Sequence, residues 1–258
     1  MRVALGIEYD GRGFCGWQAQ VRGASVQATL EAALSQVADH PISTMVAGRT
    51  DAGVHATGQV VHFDSEAIRP LHAWVAGANA LLPKTIAVRW ATPVQDHFHA
   101  RFSAQARRYC YIICNTPMHS ALTAGRATWY RHPLDAEAMQ QGAMALIGEQ
   151  DFSAFRSSQC ESSTPMRCVQ SVQVTRRGEF VCIEIEANAF LHHMVRNIAG
   201  VLMRVGAGIQ PPAWVGEVLQ TRDRRRAAET ASPAGLYLIG VRYPSPWLFP
   251  AGRPVLLF

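Results

Sequence analysis

The sequence predicts an α+β protein built from two ferredoxin-like subdomains, and three observations carry that expectation. Short β-branched and aromatic runs alternate with runs of helical period, their order is β-α-β-β-α-β, and the order occurs twice. In the first half, Val3 to Tyr9 reads as a strand closed by the turn Asp10-Gly11-Arg12-Gly13. Ser25 suits a helix N-cap, because Val26, Leu30, Ala33, Leu34 and Val37 follow at the spacing of one helical face. Ile42 to Ala47 and Gln59 to Phe63 read as strands, Leu71 to Leu82 as a helix stopped by Pro83, and Ile86 to Trp90 as a closing strand.

The second half starts with a strand over Arg108 to Cys114 and a helix capped by Asp135 that runs to Ile147 and stops at Gly148. Val169 to Thr175 and Phe180 to Ala187 form a hairpin across Arg176-Arg177-Gly178, with Val181, Ile183 and Ile185 alternating against Cys182, Glu184 and Glu186. A helix over Phe190 to Val205 ends at Gly206. Pro211-Pro212 opens a short extra helix, and Leu236 to Tyr243 closes the sheet. The expected division is 1–103, 104–245 and a tail at 246–258, with antiparallel or mixed sheets meeting at a central cleft.

Composition narrows the function. Hydrophobic residues make up 48% and charged residues 17% of 258, which describes a chain with a large core rather than a disordered one. The net charge of +5 suits a polyanionic partner, and Lys84 is the sole lysine, so arginine carries nearly all the positive charge. Six scattered cysteines with no CxxC pair, an early Glu8 and no long apolar run predict a soluble cytoplasmic protein with reduced thiols, no leader and no membrane span. No GxxxxGK[ST] loop and no GxSxG elbow occur, and Lys84 follows a helix-stopping proline, which argues against phosphate-loop, serine-hydrolase and Schiff-base chemistry.

The candidate for chemistry is the segment Ala47-Gly48-Arg49-Thr50-Asp51-Ala52-Gly53-Val54-His55 between two apolar strands. Flanking glycines let such a loop bend tightly and let a ligand approach its backbone, although residue types alone fit a plain turn equally well. This segment resembles the signature of the tRNA pseudouridine synthase A family. Three other blocks agree, in the family's order: Gly6-Ile7-Glu8-Tyr9-Asp10-Gly11 with Phe14 and Trp17; Phe98-His99-Ala100-Arg101-Phe102-Ser103-Ala104 with Arg108-Tyr109-Cys110-Tyr111; and Asn188-Ala189-Phe190-Leu191-His192-His193-Met194-Val195-Arg196-Asn197. The resemblance spans Met1 to about Tyr243.

The resemblance implies the pseudouridine synthase fold and an isomerase that converts uridine to pseudouridine at positions 38, 39 and 40 of the tRNA anticodon stem and loop. It also implies a homodimer that contacts the anticodon arm and elbow of tRNA and needs no cofactor or metal. Asp51 matches the aspartate that initiates breakage of the glycosidic bond, and Tyr109 the tyrosine that packs on the target base. Arg196 matches the basic residue paired with the aspartate, and Arg49 the arginine that holds the flipped nucleotide. The residue types suit the chemistry: a carboxylate acts as nucleophile or base when ionised, a nearby cation keeps it so, and a phenol offers a stacking face and a proton. Arg107-Arg108, Arg176-Arg177 and the cluster Arg222, Arg224, Arg225 and Arg226 are candidates to track an RNA backbone, the last equally a solvated connector.

Bland alternatives stand beside these. Tyr109 suits an ordinary strand core, Arg196 a solvated helix face, and Glu184 with Glu186 the wet face of a strand. Adjacent His192 and His193 point apart on a helix and lack further ligands in their segment, which argues against a metal site. Two other functions compete: a non-catalytic RNA-binding protein that uses its sheets as stacking platforms, and a glycoside-cleaving enzyme that releases uracil. A stacking platform has no use for a carboxylate near phosphates; an isomerase requires one.

Overall fold

The computed structural model describes residues 1–21, 23–252 and 255. Two compact units make up the fold, one comprising Met1–Arg107 with the described residues from Tyr237 to Gly252, the other Arg108–Leu236. The first division therefore lies four residues past the one expected at 103/104, and the chain from Tyr237 joins the first unit rather than the second.

The first unit runs β1 (Arg2–Tyr9), α1 (Val26–Ala38), β2 (Met45–Val46), β3 (His55–Asp64), α2 (Leu71–Leu81) and β4 (Ile86–Val94). β1 lies between β3 and β4, antiparallel to both, and β2 pairs antiparallel with the far edge of β3, which is the ferredoxin-like order. Ser25 caps α1 as expected, its Oγ accepting the Ala28 N–H at 3.2 Å. Trp17, Phe63 and Trp74 are fully buried, and the Phe63 and Trp74 rings meet edge to face at 5.0 Å. β3 begins four residues before its expected start because Gly58 does not interrupt it. The glycine is there for a close backbone approach: a Cβ would meet the Ile239 carbonyl at 2.3 Å. Ile239 lies on β10 (Leu236–Arg242), which adds to β3 in parallel through Tyr237 and Leu238. That pairing is why the last strand belongs here.

Of the tail expected at 246–258, residues 253, 254 and 256–258 lie outside the described residues. Its described part packs on the first unit: Phe249 stacks on Trp90 at 4.9 Å, and Trp247 meets Phe98 edge to face at 5.2 Å.

The second unit contains β5 (Ala106–Cys114, entered from the first unit), β6 (Thr128–Trp129), α3 (Ala136–Ala143), β7 (Gly148–Asp151), β8 (Met166–Arg177), β9 (Phe180–Ala187), α4 (Met194–Gly206) and α5 (Trp214–Thr221). The strand order is β5-β9-β8-β7, with β6 beside β5. β9 matches its expected limits, and Val181, Ile183, Ile185 and Ala187 are its buried face. α3 stops at Ala143 and passes into a 3-10 turn, whereas its helical period had suggested Ile147. β6 and β7 carry no strand-like alternation and were not expected. α4 starts at Met194 rather than Phe190 because His193 adopts the left-handed conformation (φ 63°) and Met194 N–H closes a turn onto Leu191 O. No helix among the described residues is long and apolar enough to cross a membrane.

Candidate functional site

The Asp51 loop leaves β2 at Ala47 and enters β3 at His55, and it is fastened through its own carbonyls. The Ala47 carbonyl accepts the Arg107 guanidinium (2.9 Å from Nη2), Gly48 the Gln59 amide (2.7 Å), Thr50 the Trp17 N–H (2.9 Å), and Asp51 the Val54 N–H (3.1 Å). The last bond closes a turn in which Gly53 takes φ 76°, a conformation that favours glycine. Asp51 sits half-buried at this turn and Arg49 beside it is exposed.

Beneath the loop lies a buried polar chain. Gln59 Nε2 donates to the Tyr9 hydroxyl at 3.4 Å, and that hydroxyl shares a hydrogen bond of 2.7 Å with Thr50 Oγ1. Burial pushes the Tyr9 phenol up to about 12, only partly offset by those two bonds, so it stays protonated. His55 is buried and stacked on Tyr237 at 4.6 Å; its Nδ1 accepts the Gly11 N–H at 3.1 Å. The same Nδ1 lies 3.3 Å from an Asp10 oxygen. Burial alone would raise the Asp10 carboxyl; the Arg12 side chain and amide outweigh it and hold the group low. Gly11 and Gly16 let the strand end and the following turn touch the loop, since Cβ atoms there would lie 2.0 Å from Val54 O and 2.8 Å from Thr50 O.

The other expected residues lie in the second unit, apart from Arg107. Tyr109 on β5 is buried and meets Phe190 edge to face at 5.0 Å. Arg196 lies half-buried in the first turn of α4, its Nε donating to Ala231 O at 2.8 Å while Ala231 N–H returns a bond to the Arg196 carbonyl. Arg108 is exposed and ion-paired with Glu184. Arg107, expected on RNA, turns its guanidinium onto three backbone carbonyls: Ala47, Arg101 and Ala104. Of the arginine cluster, Arg224 binds Ala228 O, Asn197 Oδ1 and Thr230 Oγ1, whereas Arg222 and Arg225 are exposed. Gln59, Tyr9 and Gly11 did not stand out as parts of the loop's support. The one available signal was Gln59, an amide immediately before Val60-Val61 in a strand whose following residues are mostly apolar.

Comparison with known proteins gives one answer. The family model described as tRNA pseudouridine synthase matches residues 6–103 and 143–244. The tRNA pseudouridine synthase A of Shewanella baltica strain OS155 is 56% identical over 250 residues, which cover 97% of this chain and 96% of the relative. That of Shewanella denitrificans is 55% identical with the same coverage.

Proposed function

The chain belongs to the tRNA pseudouridine synthase family, and from that starting point we propose that it isomerises uridine to pseudouridine at positions 38, 39 and 40 of tRNA, acting in the cytoplasm as a homodimer. The observation that carries the reading is the Asp51 loop: a carboxylate on an immobilised turn with four of its carbonyls bonded. Such fixation keeps a reacting group in line, and misplacement by about 1 Å costs roughly 100-fold in rate.

In the proposed reaction the Asp51 carboxylate starts the break between N1 and C1′, the uracil turns, and C5 bonds to C1′. The C5 proton leaves to solvent and N1 takes one up, so atoms and electrons balance without a redox partner. By family likeness Arg196 serves as the aspartate's cation, Tyr109 faces the base, and Arg49 holds the flipped nucleotide. Arg108, exposed at the surface, is proposed to meet the RNA backbone.

Tritium release from tRNA transcribed with 5-tritiated uridine tests the proposal directly. Wild-type protein releases the label and Asp51→Asn, which keeps shape and removes charge, releases none while still retaining tRNA on a filter. No release by wild type from unmodified total tRNA would sink the reading. Sites are assigned on single-substitution transcripts, and the dimer by light scattering.

A further inference from the structure

An open cavity of about 800 Å³ lies wholly within the second unit, formed by the segment after the 3-10 turn Ser153–Phe155, the start of α4 and the turn that follows α5. Four arginines and one carboxylate line it. Their bonding separates them by use. Arg224 is a strut, tied to Asn197 and Thr230. Arg156 clamps the carbonyls of Cys160 and Ser162 while one side of it faces the cavity. Arg225 pairs with both oxygens of Asp223, and the four arginines outnumber that one carboxylate whether or not the pair holds. Arg222 turns the chain at φ 53° after α5, and its side chain is 70% exposed with one loose contact, 3.4 Å, to Asp151. The cavity is thus strongly positive, and its two most exposed cations can re-aim at little cost.

We propose that this cavity is a subsite for phosphodiesters of the bound RNA, with Arg222 and Arg225 as its contacts and Arg156, Ser157 and His193 as its wall. The inference rests on the isomerase reading for the identity of the RNA. Arginine forks match phosphate oxygens bidentately, and Ser157 and Ser158 add hydroxyls suited to phosphate or 2′-hydroxyl groups. The occupant is a polynucleotide rather than a small anion: the cations are spread over separate segments around an open volume and are not gathered into a buried trap. His193 lies in the cavity wall three residues before Arg196, so RNA held here passes the first turn of α4.

The test compares R222Q/R225Q with R69Q/R89Q, a control with the same loss of net charge on exposed or half-exposed arginines of the first unit. Filter-binding affinity for unmodified tRNA is measured between 50 and 300 mM salt, with KM and kcat from tritium release. The proposal expects R222Q/R225Q to weaken binding on the order of 10-fold, to flatten the log-affinity against log-salt slope by about 1.5, and to raise KM more than it lowers kcat. The control keeps the wild-type slope. Equal slopes for all three proteins would overturn the proposal. So would a result in which inorganic phosphate protects wild type but not R222Q/R225Q from thermal unfolding while tRNA affinity is unchanged, since the cavity would then hold a small anion only. Binding slopes are read without catalysis, so failure of wild type to release tritium would reject the isomerase reading and leave the slope comparison intact.

Discussion

Replacing Gly11 with alanine should disable the aspartate loop without touching a reacting group. Gly11 has an ordinary negative φ, so the change brings no backbone strain of its own. Its cost is steric: the new Cβ would lie 2.0 Å from the Val54 carbonyl oxygen, against the 3.4 Å at which ordinary contact begins, so the loop or the strand end must retreat by about 1.4 Å. The loop cannot flex alone, because Asp51 O is bonded to Val54 N–H and Gly11 N–H is bonded to His55. A shift above 1 Å at a reacting carboxylate corresponds to a rate loss on the order of 100-fold. Overpacking of a closed site adds about 1–3 kcal/mol of destabilisation, or several degrees in Tm for a chain of this size. Single-turnover tritium release and thermal unfolding measure both, and tRNA affinity should stay near wild type. Gly240→Ala is the matched control, since a Cβ there meets nothing within 4 Å. If Gly11→Ala reacts within twofold of wild type, the loop is not held as described.

Two further substitutions test the support beneath the fold. Tyr111 is fully buried, its hydroxyl 2.5 Å from Thr128 Oγ1 and 2.9 Å from Ser232 O; Tyr111→Phe strands both partners and should cost about 1–3 kcal/mol, read as a lower Tm, with tRNA binding retained. His62 is pushed down to about 4 by burial, with Arg2 and His99 adding to it, and its Nδ1 accepts the Ala100 N–H. A histidine depressed in the fold binds its proton more readily when unfolded, so it leaves stability intact above about 6.5 and removes it as pH falls toward 4. The steepest loss is about 1.4 kcal/mol per pH unit. His62→Asn, which keeps an acceptor, should flatten denaturation midpoints between those limits; an unchanged pH profile would show that another group titrates there.

The order of elements was readable because period 2 and period 3.6 are written in the side chains: β9 and the start of α1 fall where the alternation and Ser25 put them. What could not be read depends on backbone neighbours far away in sequence. β3 runs through Gly58 because β10 passes against it, and β10 joins the first unit for the same reason. β2 shrinks to two residues although six looked strand-like: Met45 and Val46 are in register with β3, and beyond them a single bond from Ala47 N–H to Val60 O follows before the loop departs. The Asp51 segment itself was legible from its glycines and its family likeness, but its fastening was not. Tyr9, Gln59 and Arg107 are 41, 11 and 60 residues from the loop residues they bond, Thr50, Gly48 and Ala47, so three separate elements converge on it.

Arginine is where sequence reading fails most instructively, because one residue type serves two unlike purposes. Arg107 and Arg224 each spread donors over three acceptors that lie in different directions. A planar fork does this; a lysine carries three protons on one nitrogen and cannot span the same set. Arg222 and Arg225 instead present exposed charge, and the salt slope counts charge rather than fork geometry. Lysine substitution should therefore divide them. Arg107→Lys and Arg224→Lys lose two or more charged hydrogen bonds each and, discounted for partial exposure, should destabilise by about 1–3 kcal/mol, lowering Tm by several degrees. R222K/R225K should keep both the wild-type Tm and most of the salt slope for tRNA. If lysine is tolerated at Arg107 and Arg224 but lowers Tm at Arg222 and Arg225, the division into struts and phosphate contacts is inverted, and the charged cavity is a structural element rather than a place for RNA.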